Sequence, residues 1–254
     1  EKLTGASARL KEILACCSLC PRRCQVDRTR GQRGFCNLPD RAVVNCALPH
    51  FGEEPPISGT SGSGTSFFAS CNLRCRYCQN FQISHKVRGE VLDASALARV
   101  MLSLQDRGCH AIEPVTPTPH LPVILEALQL ARRQGLHLPL VYNCGGYENP
   151  EIIRLLDGIV DVYLPDFKYG SDACASSFSG VEDYVAQALG SLREMVRQVG
   201  DTLVPEEGIA RRGLLIRHLV LPGQLENSRE VMNLIKAHVS TAVPLSLMSH
   251  YTQT

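Results

Sequence analysis

Tryptophan is absent from the 254 residues, and aromatic side chains make up only 6% of them. So few rings argue against a surface built to stack sugars or single-stranded bases. An excess of one charge is missing too: 26 Lys and Arg against 25 Asp and Glu leave a net charge of +1. That balance gives no electrostatic footprint for nucleic acid. No uninterrupted apolar run approaches membrane-spanning length, since "GLLIRHLVLPG" is broken by Arg217 and His218. The chain opens on the charged, amphipathic EKLTGASARLKEIL rather than on a basic, apolar signal segment. Neither a nucleic acid nor a membrane is therefore expected as partner.

Cysteine, by contrast, is abundant, with twelve residues. Two clusters of closely spaced cysteines fit metal ligation in a reducing compartment better than a disulfide framework, and a chain that opens on Glu1 leaves room for a targeting segment already removed. The expectation is a cytoplasmic metalloprotein. Hydrophobic content of 44% and charged content of 20% are those of a folded chain. Residues 1–60 read as a Cys-rich N-terminal extension, carrying little helical periodicity after Leu14. Residues 61–254 read as the core domain, entered through the loop "ISGTSGSGTS".

In the core domain β and α signals alternate. Strands are expected at 65–70, 111–116, 138–143, 159–167, 213–221 and 243–250. Between them lie helical patterns: Leu97, Val100, Met101 and Leu104 behind an Asp93 cap; Ile124, Ala127, Leu128 and Ala131; a segment capped by Asn149 and Pro150; residues 183–199; and "NSREVMNLIKAH". Connections of that length imply parallel strands. The fold class is α/β, a partial (β/α)6 barrel, because eight units close the common barrel. Such folds gather functional residues at the carboxyl ends of the strands. The loop holding Cys71, Cys75 and Cys78, then "TPTPH", "NCGGY" and "DFK", all fall there.

"SFFASCNLRCRYCQN" spaces Cys71, Cys75 and Cys78 as C-x3-C-x2-C. Thiolates bind zinc or iron–sulfur clusters. Structural zinc takes four chain ligands, and a distant Cys46, Cys109 or Cys144 could complete such a set. A cubane held by three cysteines instead leaves one iron open to a small molecule. Spacing alone leaves both readings open.

The trio, with Tyr77 just before its last cysteine, follows an apolar strand that opens a parallel β/α chain. This resembles the signature of the radical S-adenosylmethionine (SAM) superfamily. "CQN" resembles the "CHN" of glycyl-radical-enzyme activating enzymes. "LCPRRCQVDR", "GEEPPISG", "VTPTPH", "VYNCGGYE", "YLPDFKY", "EMVRQVGD" and "IRHLVLPG" are similar, in order, to PflX-type relatives of pyruvate formate-lyase activating enzyme. The resemblance implies a [4Fe-4S] cluster on Cys71, Cys75 and Cys78, with SAM on its open iron. It implies a one-electron donor such as a flavodoxin or ferredoxin, and reductive cleavage of SAM to a 5′-deoxyadenosyl radical that abstracts hydrogen. It further implies SAM contacts from Tyr77, Asn80, Asn143, Asp166 and Lys168, and from Arg217 or His218, which adjacent positions in a strand point to opposite faces. The superfamily's Gly-Gly-Glu-like segment is replaced here by "EPVTPTPH", where Thr116 and Thr118 are candidates to bind the methionine amino group and a rigid turn is the alternative. The implied substrate is a glycyl radical partner protein. Two alternatives stand beside it: radical modification of a small molecule or peptide, and a zinc-binding interaction protein on the same fold. Relatives continue past "YTQT", so a C-terminal tail is expected to be missing.

Cys17, Cys20, Cys24 and Cys36, spaced C-x2-C-x3-C-x11-C, suit a second metal site, zinc or an auxiliary iron–sulfur cluster, with free thiols as the plain alternative. His50, Glu53 and Glu54 read as a solvated turn. His110, His120, His137 and His238 read as loop or surface residues.

Overall fold

The computed structural model describes residues 1–249 and 251. Its strands are β1 (Ala42–His50), β2 (Ser63–Phe68), β3 (Glu90–Leu92), β4 (Ile112–Val115), β5 (Val141–Cys144), β6 (Val162–Pro165), β7 (Leu203–Glu206), β8 (Ile209–Leu214), β9 (Ile216–Leu219) and β10 (Leu245–Met248). Its helices are α1 (Lys2–Ile13), α2 (Pro55–Ser58), α3 (Phe81–Ser84), α4 (Ala94–Asp106), α5 (Leu121–Arg133), α6 (Pro150–Arg154), α7 (Asp172–Ser179), α8 (Tyr184–Val199) and α9 (Leu225–His238). An eight-stranded sheet runs β3-β1-β2-β4-β5-β6-β8-β7, and β9 pairs with β10. Every pairing among β2, β4, β5, β6 and β8 is parallel, as is β9 with β10. This mostly parallel α/β sheet is consistent with a partial barrel.

The helices follow their sequence signals. Asp93 caps α4 by accepting a hydrogen bond from Ala96 N, and Asn149 caps α6 from Glu151 N with Pro150 in the first turn. Helix α4 buries Leu97, Ala98, Met101 and Leu104; α5 buries Ile124, Ala127, Leu128 and Ala131. Each large side chain buried this way contributes about 1.5–3 kcal/mol.

Three features differ from expectation. The strand expected over 213–221 is bent at Leu215, so β8 stays in the main sheet while β9 turns to meet β10. A hairpin of β7 and β8 fills residues 203–214, and its "LVPEEGIARR", largely exposed apart from Ile209 and Ala210, lacks the apolar alternation that would announce a strand. Finally, β1 pairs antiparallel with β2, and α1 packs on α5 through Lys11–Glu126 at 2.7 Å. The boundary expected at residue 60 thus falls inside one hydrogen-bonded sheet.

Candidate active site

Register builds the rim. Cα partners run Phe67, Val115, Asn143 and Leu164 across four parallel strands, so the residues just beyond them share one level. Arg217 joins at that level through a parallel bridge to Asp166. Beyond β2, Ser70 at φ 68 and Arg74 at φ 51 turn the chain into the cysteine loop. Cys71 Sγ accepts a hydrogen bond from Leu73 N at 3.3 Å, and Cys78 Sγ accepts one from Ser84 Oγ at 3.1 Å. The three thiols open on a cavity of about 660 Å3, a size suited to a small cosubstrate.

A fixed ionic group lines the same cavity. Arg217 donates to Asp166 Oδ1 at 2.9 Å, Glu53 Oε2 at 2.9 Å and Asn143 Oδ1 at 2.6 Å. Asn143 passes the network on by donating to buried Glu113 at 2.7 Å, which also accepts from Thr65 at 3.1 Å. Lys168 pairs with the other oxygen of Asp166. Burial opposes the charge on Lys168, yet Asp166 and the thiols of Cys75 and Cys78 hold its pKa above the usual lysine value. Burial likewise opposes ionisation of Asp166, and the charges of Arg217 and Lys168 outweigh it, keeping the carboxyl below its usual range. Glu53 goes the other way: burial, then the charge of Glu113, push it up to about 7 against the pull of Arg217.

The donor set fits the groups the sequence implies. Three soft thiols face one space, as a cluster needs; burial raises the Cys78 thiol, and the charge of Lys168 acts against that rise. The same lining presents both cations and carboxylates, which suits a zwitterionic amino acid. Among the described residues, no three His, Cys, Asp or Glu side chains stand in single-ion geometry.

Of the residues singled out from sequence, Tyr77, Asn80, Thr116, Asn143, Asp166, Lys168 and Arg217 line this cavity with the trio. Tyr77 is buried against Phe178, and Thr116 sits in the left-handed region at φ 60, an uncommon place for a β-branched residue. Thr118 and His218 are not brought there. Thr118 is buried behind the rim, donating to the Glu148 carboxylate at 2.7 Å, with Tyr142 Oη 3.2 Å away. His218 points away from the cavity; its Nδ1 lies 2.7 Å from Phe167 O and its Nε2 2.8 Å from Ser228 Oγ. Burial lowers its pKa, so the neutral ring donates from Nδ1 and accepts from the serine. Of the adjacent pair, Arg217 alone faces inward.

Two readings need correction. Glu53 is no solvated turn residue: its side chain is 9% exposed and braces Arg217, while Glu54 lines the same cavity. His120 is no surface residue either; it is buried, stacks near Phe68 and has Nε2 2.9 Å from Ala69 O. Burial drops its pKa to about 3. Nothing in the local pattern marked Glu53, since its partner lies 164 residues away.

The family described as "Radical SAM superfamily" matches residues 65–235. The chain belongs to the radical SAM superfamily. Members of this family are iron–sulfur, SAM-binding proteins. An uncharacterised protein of Methanocaldococcus jannaschii is 30% identical over 95% of this chain and 67% of its own length. The pyruvate formate-lyase-activating enzyme of Clostridium pasteurianum is 26% identical over 73% of this chain and 74% of its own. A solved structure described as native anSMEcpe with bound AdoMet aligns with a TM-score of 0.47 at 14% identity, covering 77% of this chain and 50% of that one. This radical SAM chain therefore spans half the length of that structure. None of its described helices is long and apolar enough to cross a membrane, and none of its cysteines forms a disulfide.

Proposed function

We propose that this protein holds a [4Fe-4S] cluster on Cys71, Cys75 and Cys78 and cleaves SAM reductively to start hydrogen abstraction from a substrate. One observation carries the reading: the three thiols open on the same cavity as the Asp166–Lys168–Arg217 group. When bound, the reduced cluster supplies one electron to the sulfonium of SAM, giving methionine and a 5′-deoxyadenosyl radical that becomes 5′-deoxyadenosine on taking a hydrogen atom. The chain's own part is to bind, orient and keep water out. Lys168 and Arg217 offer cations to the carboxylate of SAM, while Asn143 and Thr116 offer oxygens to its ammonium. Asp166 fixes both cations and so sets where that carboxylate sits. Tyr77 and Asn80 border the cluster side, Tyr77 as a buried wall and Asn80 at the exposed edge.

The electron comes from a small redox protein of the flavodoxin or ferredoxin kind. The substrate we favour is a backbone glycine of a partner protein, a reading supported by the likeness to the Clostridium pasteurianum activating enzyme. The test is anaerobic reconstitution, followed by electron paramagnetic resonance of the reduced protein with and without SAM and by 5′-deoxyadenosine assay. A cubane signal that changes on adding SAM is expected, with turnover lost in Cys71→Ala, Cys75→Ala and Cys78→Ala. Retained turnover in all three variants would sink the assignment. Transfer of deuterium from a glycine-labelled partner into 5′-deoxyadenosine tests the substrate separately.

A further inference from the structure

A second cysteine cluster lies outside the cavity just described. Cys17, Cys20, Cys24 and Cys36 line one small space that Asn72 of the cysteine-trio loop also borders. The chain folds back to bring them together: Cys17 N donates to Val26 O and Gln25 N to Cys17 O, each at 3.0 Å, and Arg23 N donates to Cys20 O at 3.0 Å. Arg23, Gln25 and Asn37, which flank Cys24 and Cys36, all take positive φ, a strained state for residues other than glycine. Cys24 Sγ accepts a hydrogen bond from Phe35 N at 3.3 Å. Gly34 permits that approach, since a Cβ there would lie 2.9 Å from the sulfur.

Both charged residues that line this space are arginines, and the Glu148 carboxylate lies near enough to act on Cys20. Arg28, 2% exposed, lines it together with Arg22. The hydrogen bonds of Arg28 go to main-chain carbonyls, those of Pro39 and of Pro119 at 2.9 Å. A buried guanidinium answered only by neutral carbonyls calls for a nearby anion. Four thiolates gathered on a metal supply it, and metal binding is what deprotonates thiols in such a setting.

We infer that Cys17, Cys20, Cys24 and Cys36 form a closed four-thiolate centre for a thiophilic metal, with Arg22 and Arg28 as its counter-charge. Four chain ligands leave no position for a substrate, so the centre is structural or electron-carrying rather than a second catalytic site. Among the described residues no three of these thiols stand in single-ion geometry, so binding the metal requires them to draw together. Its occupancy braces the neighbouring loop. Ser70 Oγ donates to Cys36 O at 2.6 Å and Arg22 Nε donates to Asn72 O at 3.0 Å, bracketing Cys71 from both sides.

The centre is tested in the full chain with the trio removed, as Cys71→Ser/Cys75→Ser/Cys78→Ser. This variant is expected to keep one metal centre per chain, as zinc alone or as iron with matching sulfide, and to show tetrathiolate bands with cobalt(II). Adding Cys24→Ser and Cys36→Ser should abolish it. The unmutated protein gives a check that needs no variant to fold. With metal bound, the four cysteines should resist iodoacetamide while exposed Cys16 and Cys46 react, and chelation should release them. Absence of zinc, iron and cobalt binding in the triple variant overturns the inference. So does alkylation of the four thiols as fast as Cys16 in metal-replete protein. Unchanged hydrogen exchange at residues 70–75 after chelation would overturn the bracing role.

Discussion

Replacing Arg217 by Met keeps the apolar stem and deletes the guanidinium that ties Glu53, Asn143 and Asp166 together. The side chains of Arg217, Glu53 and Asp166 are 14%, 9% and 15% exposed, so solvent screens the loss little. Removing one partner of a buried ion pair costs about 3–5 kcal/mol. Two features favour the lower end. Asp166 keeps Lys168, and Glu53, already at about 7, sheds its charge by binding a proton. The expected deficit is about 3 kcal/mol at pH 8. A raised carboxyl pKa means that the folded chain binds more protons than the unfolded one between 4.5 and about 7, and stability falls as pH climbs through that window. Without Arg217 the Glu53 pKa moves higher still and stretches the window upward. The deficit of Arg217→Met should therefore shrink towards about 2 kcal/mol at pH 6. Glu53→Gln added to Arg217→Met removes the orphaned charge and should restore about 1–2 kcal/mol. Anaerobic urea denaturation at both pH values reads all three quantities. A deficit below about 1 kcal/mol at pH 8, or equal deficits at pH 6 and 8, would refute the reasoning.

Glu148, raised by burial to about 7 despite its bonds to Thr118 and Tyr142, should cost the protein about 3 kcal/mol of stability as pH rises from 4.5 to 7. Glu148→Gln should flatten that slope, and parallel slopes in variant and parent denaturation series would count against it. Gly146→Ala places a Cβ 2.0 Å from Asp166 O at a φ of +79, so it should destabilise by about 2–4 kcal/mol and weaken SAM binding by calorimetry. His218→Leu should cost about 2–3 kcal/mol by stranding Phe167 O and Ser228 Oγ, while SAM affinity stays unchanged; a large loss of affinity would return His218 to the binding site.

The alternating pattern was legible because crossover helices carry strong 3.6-residue periodicity: Leu97, Met101 and Leu104 needed no tertiary information to be placed on one face. The rim was legible for a topological reason, since parallel strands collect their carboxyl ends on one side. What stayed hidden depended on partners far along the chain. Glu53 looks like any charge beside two prolines until β9 delivers Arg217 to it. Alternation in a strand said that Arg217 and His218 face opposite ways but not which faces inward; the bend at Leu215 and the turn towards β10 decide that. Thr118 carried the right chemistry in the right loop, yet the 3-10 turn over Thr118–His120 rotates it onto Glu148 instead.

The antiparallel pairing of β1 with β2 has a practical consequence for cutting this protein into pieces. In the intact chain, β1 covers the outer margin of β2, and short β3 finishes that side. A fragment starting at residue 61 would bare a whole row of amide and carbonyl groups on β2, the kind of margin that recruits other chains into aggregates. Such a fragment should precipitate unless residues from Ala42 onward are restored, even though every cysteine of the trio would still be in it.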